Sequence, residues 1–257
     1  MSQVSRQKRP IALVTGASRP MGIGSAIALS LAKAGWDVAI TYWQSYDVEM
    51  PWESDASDAD VLLAKLKAIT PHAVGIEADL SEVGAAETIF DFVQENLGPI
   101  DALVMSHCLS IDSSILDTTA EAFDNHFAIN ARATWLLVRE FGKRFSGEFG
   151  SGRIISLTSD HAVHNLPYGA SKGAMDRIVL AAAHEFKHLG ITANVVNPGA
   201  NDTGWMDDGI KDWAVNATPL GRVGTPQDCA NLVTFLCSKE GGWINAQLIK
   251  SNGGQAS

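Results

Sequence analysis

The chain has 257 residues, 46% of them hydrophobic, and a formal net charge of −10. That length carries a full buried core and is common for α/β single domains. The negative balance argues against a general nucleic-acid or anionic-membrane partner. The three cysteines Cys108, Cys229 and Cys237 form no CxxC pair and no metal-ligand spacing, so a disulfide framework and a metal site are not expected. No stretch approaches the length of a membrane-spanning helix. The expectation is a soluble, cytoplasmic protein.

Residues 1–9 are polar and basic (Arg6, Lys8, Arg9) and read as a short solvated arm, leaving 10–257 as one domain. Ile11 to Val14 is an apolar run that reads as a buried strand. It is followed by a glycine turn, Gly16 to Gly24, and by a helix from Ser25 to Ala34 stopped by Gly35. Glycines at such a turn let backbone N–H groups approach a pyrophosphate, which a helix N-terminus also favours. Val38 to Tyr42 is the second strand. The acidic and aromatic segment from Trp43 to Asp60, with Pro51 in its middle, is too irregular for a helix. It reads as a solvated surface loop or as an excursion near the adenosine end of a nucleotide site.

The alternation continues with a helix over 61–69, a strand over 73–76 leading to Asp79 and Leu80, and a helix over 83–97. A strand over 100–105 and one long helix from Ala120 to Phe145 come next. A strand over 153–158, a helix over 168–189, a strand over 191–196, a small lid over 200–223, a helix from Pro226 to about Ser238 and a strand over 247–250 complete the chain. Continuous apolar strands between helices imply a doubly wound parallel sheet of Rossmann type, with helices on both faces. Ligands of such sheets sit at the carboxyl ends of the strands. The glycine turn, Asp79, Ser106 to Cys108, Ser159 and Asn197-Pro198-Gly199 all fall there.

Tyr168 and Lys172 are four residues apart on a helix, so their side chains share a face. A free phenol titrates near ~10. A fixed cation beside it favours the phenolate and lowers that value, which suits the pair to proton exchange with a substrate oxygen.

Thr15-Gly16 through Gly24, Asp79, Asn130, Ser159, Tyr168-x-x-x-Lys172, Asn197-Pro198-Gly199 with Thr203, and Gly253-Gly254 occur in one order. In that order the chain resembles the short-chain dehydrogenase/reductase superfamily, in its single-domain 3-oxoacyl-carrier-protein reductase-like subgroup. The resemblance runs from about Pro10 to Gly254. It implies an NAD(P)-dependent oxidoreductase in which Tyr168 gives a proton to a carbonyl, or takes it from the alcohol. Lys172 would lower the Tyr168 pKa and bind the nicotinamide ribose. Ser159 would orient the substrate oxygen, and Asn130 would hold a water in a relay to Lys172. Gly16, Ser18, Arg19, Gly22, Ile23 and Gly24 would form the pyrophosphate turn. Asp79 and Leu80 would meet the adenine. Ser106, Pro198, Gly199 and Thr203 would line the nicotinamide half.

Three departures from the family pattern stand out. Pro20-Met21 lengthens the glycine turn. Met105-Ser106-His107-Cys108 replaces Asn-Asn-Ala-Gly. Ser159 lies nine residues before Tyr168, whereas Ser156 keeps the usual spacing of about a dozen. Strand context favours Ser159, with a shortened loop explaining the spacing. The second strand ends in Thr41, Tyr42 and Trp43, with no acid until Asp47. Since a carboxylate there selects NAD and an arginine accommodates a 2′-phosphate, Arg19 favours NADP(H), with NAD(H) the alternative. His107, His161, His164 and Trp205, with Ser110, Asp112 and Met206, would line the pocket of a small carbonyl or alcohol substrate. A secondary-metabolite ketoreductase is the narrower form of this reading. The competing readings are an enoyl reductase-like enzyme and a non-catalytic dinucleotide sensor. The resemblance also implies a homodimer or homotetramer paired through the helices 120–145 and 168–189.

Overall fold

The computed structural model describes residues 9–49, 55, 57–161 and 163–255. Most of the N-terminal arm and the Pro51 part of the acidic segment lie outside these residues. Seven strands form one parallel sheet in the order β3-β2-β1-β4-β5-β6-β7. They are β1 (Ile11–Thr15), β2 (Asp37–Tyr42), β3 (Ala73–Glu77), β4 (Ala102–Met105), β5 (Arg153–Leu157), β6 (Thr192–Asn197) and β7 (Leu248–Lys250). The strand order reverses between β1 and β4, and this places a crevice at their carboxyl ends.

The strands are apolar throughout because both faces are covered. Alternate side chains divide between two cores. Leu13, Leu103, Ile154 and Val195 pack with Phe90, Leu137, Phe141 and Val179 from the helices α4 (Ala85–Asn96), α6 (Ala133–Arg144) and α7 (Leu166–Glu185). Val14, Val104, Ile155 and Val196 pack with Ile27, Leu31, Leu66, Val233 and Leu236 from α1 (Ile23–Lys33), α3 (Asp58–Ile69) and α9 (Pro226–Cys237). The start of α9 is fixed by a capping box, in which Thr225 accepts from the Asp228 N–H while the Asp228 carboxylate returns to the Thr225 N–H.

Four segments differ from the sequence reading. The acidic segment does contain a helix, α2 (Gln44–Glu49), held by tertiary contacts that no periodicity announces. The long helix from Ala120 is interrupted: α5 (Ala120–His126) passes through a π-turn (Phe127–Arg132) before α6. The π-turn is marked by the Ala133 N–H reaching back five residues to the Ala128 carbonyl. α7 begins two residues before Tyr168, with Pro167 in its first turn, where a missing N–H costs nothing. The lid contains a helix of its own, α8 (Asp208–Ala217), capped by the Asp207 carboxylate. Among the described residues no helix is long and apolar enough to cross a membrane.

Phe141 is fully enclosed where α6 meets the sheet. Phe141→Ala should lower unfolding stability by about 3–5 kcal/mol in urea titrations, without loss of the native circular dichroism spectrum at low denaturant.

Candidate active site

The glycine turn leaves β1 at Gly16, whose backbone is left-handed at φ 66°. A Cβ on Gly16 would lie 2.6 Å from the His107 Cα, and one on Gly24 would lie 2.5 Å from the Gly16 carbonyl oxygen. The turn is therefore packed backbone to backbone, and only glycine fits at both positions. No side chain caps the N-terminus of α1 at Gly22, so the first N–H groups of α1, from Ile23 on, have no side-chain acceptor. That cradle fits a pyrophosphate. The inserted Met21 reaches across to the lid, its Sδ within 3.6 Å of where a Gly204 side chain would start.

His107 does not line the substrate pocket as expected from the sequence. It is buried between β1 and the π-turn, with Nδ1 2.6 Å from the Thr15 hydroxyl and Nε2 3.2 Å from the Ile129 carbonyl. A carbonyl can only accept, so Nε2 carries the proton and Nδ1 accepts from Thr15. Burial, with the Lys172 charge nearby, pushes the imidazole down to about 3. A bulky residue therefore stands where the family has alanine, and it acts as a neutral strut beneath the glycine turn.

Tyr168 and Lys172 share one face of α7. Lys172 is 2% exposed, donates from Nζ to the Leu157 carbonyl at 2.9 Å, and sits 5.7 Å from the centroid of the Tyr168 ring. The net shift of the phenol is opposite to the expected lowering. Burial dominates and raises the Tyr168 pKa, with Cys108 adding to the rise and Ser159 opposing it. The lysine lies over the ring. A phenol so held stays protonated at neutral pH, which is the form that donates. Burial lowers Lys172, while Cys108 and Asp176 raise it.

Ser159 lies two residues beyond β5, half-buried, facing Tyr168 and accepting from the His161 N–H at 3.1 Å. Ser156 lies within β5, fully buried between β4 and β6. The shortened loop thus brings Ser159, rather than the serine with family spacing, beside the phenol.

Asn130 sits at the centre of the π-turn. Its Oδ1 accepts the Leu109 N–H at 2.7 Å, and its Nδ2 donates to the Leu109 carbonyl and to the Ser171 hydroxyl, each at 2.9 Å. Ser171 in turn donates to the Tyr168 carbonyl at 2.8 Å. The side chain is fully engaged in clamping the loop after β4 to α7. A water in a relay would have to use the Asn130 main-chain carbonyl, which also accepts from the Thr134 hydroxyl. His126, which the sequence reading passed over, props the same loop: Nε2 accepts from the Ile111 N–H and Nδ1 donates to the Ala122 carbonyl.

The remaining expected residues divide between crevice and rim. Ser106 continues from β4, its N–H bonded to the Thr15 carbonyl. Asp79 lies two residues beyond β3, in a turn where its carboxylate accepts from the Ser81 N–H, and Leu80 next to it is buried. Pro198 and Gly199 follow β6 in a turn closed by Asn197 Oδ1. Thr203 is buried and its carbonyl receives Arg19 Nη1 at 3.1 Å. His161, His164 and Trp205 are exposed at the rim, where His164 adopts a left-handed backbone (φ 60°). Arg19 and Ser18 carry a surprise, since both contact Asp47 of α2. Tyr46, beside Asp47, faces the backbone of Ser110 and lies near Cys108 and Arg19. Sequence reading named Asp47 only as the first acid after the second strand and passed over Tyr46, because nothing in the spacing of a six-residue helix says where it docks.

A sequence model of one family, described as Enoyl-(Acyl carrier protein) reductase, matches residues 16–256. The chain belongs to the short-chain dehydrogenase/reductase superfamily. It is an oxidoreductase of that group. It is 35% identical over 256 residues, 98% of each chain, to the uncharacterized oxidoreductase YjdA of Bacillus subtilis. It is also 35% identical to the NADPH-dependent aldehyde reductase-like chloroplastic protein of Arabidopsis thaliana, over 95% of this chain and 93% of that one. A short-chain dehydrogenase from Burkholderia cenocepacia, solved in complex with NADP, superposes with a TM-score of 0.86 at 31% identity, over 98% of this chain and 99% of that one.

The neutral state of His107 has a consequence for stability. Its folded pKa lies well below the ordinary ~6.5, so below that pH the unfolded chain binds a proton that the folded one refuses. This contribution is complete above about pH 6.5 and is lost as pH falls toward the folded value. In denaturation series at stepped pH, His107→Gln should show a shallower fall in stability between pH 6.5 and 4 than the parent.

Proposed function

We propose that the protein is an NADPH-dependent carbonyl reductase, acting reversibly on a small carbonyl or alcohol. The observation that carries this reading is the meeting of Ser159 and Tyr168 at the carboxyl end of β5, with Lys172 buried behind the phenol ring. The cofactor, when bound, supplies the hydride. The chain supplies orientation and the proton. Ser159 donates a hydrogen bond to the substrate oxygen and fixes it within reach of the Tyr168 hydroxyl. Tyr168 gives its proton to that oxygen as negative charge develops there. Lys172, held against the Leu157 carbonyl, stabilises the phenolate left behind, and it would hold the nicotinamide ribose. Gly16, Gly22 and Gly24 would seat the pyrophosphate, and Ser106, Pro198, Gly199 and Thr203 the nicotinamide half. Asn130 is a positioning residue in this reading. The aldehyde reductase relative and the NADP complex support this reading and the choice of NADPH. A 3-oxoacyl or secondary-metabolite ketone is the finer form of the substrate.

The description of the matching family favours a second reading, an enoyl reductase. Members of that branch place their tyrosine with six residues between it and the lysine. That position here is Asn165, which is buried and donates to the Ser110 hydroxyl at 3.4 Å. No phenol stands there to serve, so the carbonyl reaction is preferred. We further propose a cytoplasmic homodimer or homotetramer. Phe127, Ala131, Trp135 and Ile178 line an apolar hollow on the outer face of α6 and α7 that a second copy would cover.

The test is a carbonyl screen with NADPH. Turnover is expected, and Tyr168→Phe should reduce kcat by about 10²–10⁴-fold while leaving the Kd for NADPH within about twofold. Unchanged turnover in Tyr168→Phe would refute the assignment. Trp135→Glu should reduce the assembled mass in light scattering; an unchanged mass would count against pairing through this face.

A further inference from the structure

The arginine that the sequence offers to a 2′-phosphate already has an anion beside it. Arg19 Nε lies 4.0 Å from Asp47 Oδ1, and the Ser18 hydroxyl donates to Asp47 Oδ2. Arg19 Nη1 also donates to the Thr203 carbonyl. Asp47 is 9% exposed, so a segment that reads as a surface excursion delivers a carboxylate into the mouth of the crevice. Carboxylates and phosphate monoesters accept from the same donors, a guanidinium and a hydroxyl. The phosphate brings more charge and one more oxygen. At 4.0 Å the Arg19 contact is loose, whereas the Ser18 contact is a charge-assisted hydrogen bond. Asp47 is therefore held well enough to compete and loosely enough to yield.

We propose that Asp47 is an internal stand-in for the 2′-phosphate of NADP(H), competing for Ser18 and Arg19 and thereby setting cofactor choice. This rests on the reductase reading. A cofactor without the phosphate does not contest these donors and leaves the carboxylate on Ser18 and Arg19. A cofactor with it replaces one anion by a stronger one. The exchange also reaches the catalytic cleft, because Tyr46 is the neighbour of Asp47 on α2 and its hydroxyl lies by Ser110, Cys108 and Arg19. When Asp47 gives up the glycine turn, α2 loses contacts that hold Tyr46 near Tyr168. Cofactor selection and access for the substrate are thus linked through two adjacent residues.

The test is calorimetric titration of the full chain and of Asp47→Asn with 2′,5′-ADP, which carries the phosphate, and with 5′-ADP, which lacks it. Asp47→Asn should bind 2′,5′-ADP about five- to tenfold more tightly than the parent, with 5′-ADP changed by less than about twofold. Asp47→Glu, which keeps the charge, should retain the parent's weaker binding. Arg19→Ala should erase the preference between the two probes. An unchanged or weakened affinity of Asp47→Asn for 2′,5′-ADP overturns the proposal. So does equal tightening of both probes, which would make α2 a plain obstruction. Weakened 5′-ADP binding overturns it as well, since Asp47 would then be an acceptor for the ribose. NADPH turnover in the parent alongside any of these failures leaves the reductase reading standing. Failure of both proteins to bind either probe or NADPH removes the two together.

Discussion

The site depends on one buried amide. Asn130 spends its whole side chain on fixing Leu109 and Ser171, and Ser171 passes the constraint to the backbone of Tyr168. Together with His126 and the Asn165–Ser110 bond, this amide holds the loop after β4, with Cys108 and Ser110, against the start of α7. A helix with its ordinary hydrogen bonds would aim the residue elsewhere. The extra residue of the π-turn rotates Asn130 inward, at the cost of a less regular helix. Functional geometry here is bought by local irregularity, and the buried polar groups involved are satisfied rather than stranded.

Burial then sets the electrostatics. Tyr168 is raised and Lys172 lowered by the same loss of water, and His107 is kept neutral by it. Burial outweighs the lysine's pull toward ionisation, so the net shift of the phenol is upward. Lys172 lies over the ring, tied to Leu157, and it matters most once the proton has gone and a phenolate must be tolerated. The acid is stable until it is used, and its conjugate base has a cation close by.

The lengthened glycine turn makes contact across the mouth of the crevice. The inserted Pro20-Met21 carries Met21 to the lid at Gly204, and Arg19 bonds the neighbouring Thr203 carbonyl. On the other side Asp47 reaches Ser18 and Arg19. The glycine turn is thus joined both to the lid and to α2. In place of the small residues usual after β4, His107 fills the space behind the turn.

Much was legible in the sequence by itself. Strand apolarity, helix periodicity and turn glycines identified a doubly wound parallel sheet, because burial on two faces leaves a repeating mark on the chain. The i, i+4 spacing put Tyr168 and Lys172 on one face, and strand context pointed to Ser159 over Ser156. What only the tertiary structure decided were contacts between segments distant in the chain. The docking of α2, the interior position of His107, the π-turn at Asn130 and the raised rather than lowered phenol all belong here. Periodicity reports which face of an element is buried, but not which partner buries it. A pKa or a hydrogen bond is set by that partner.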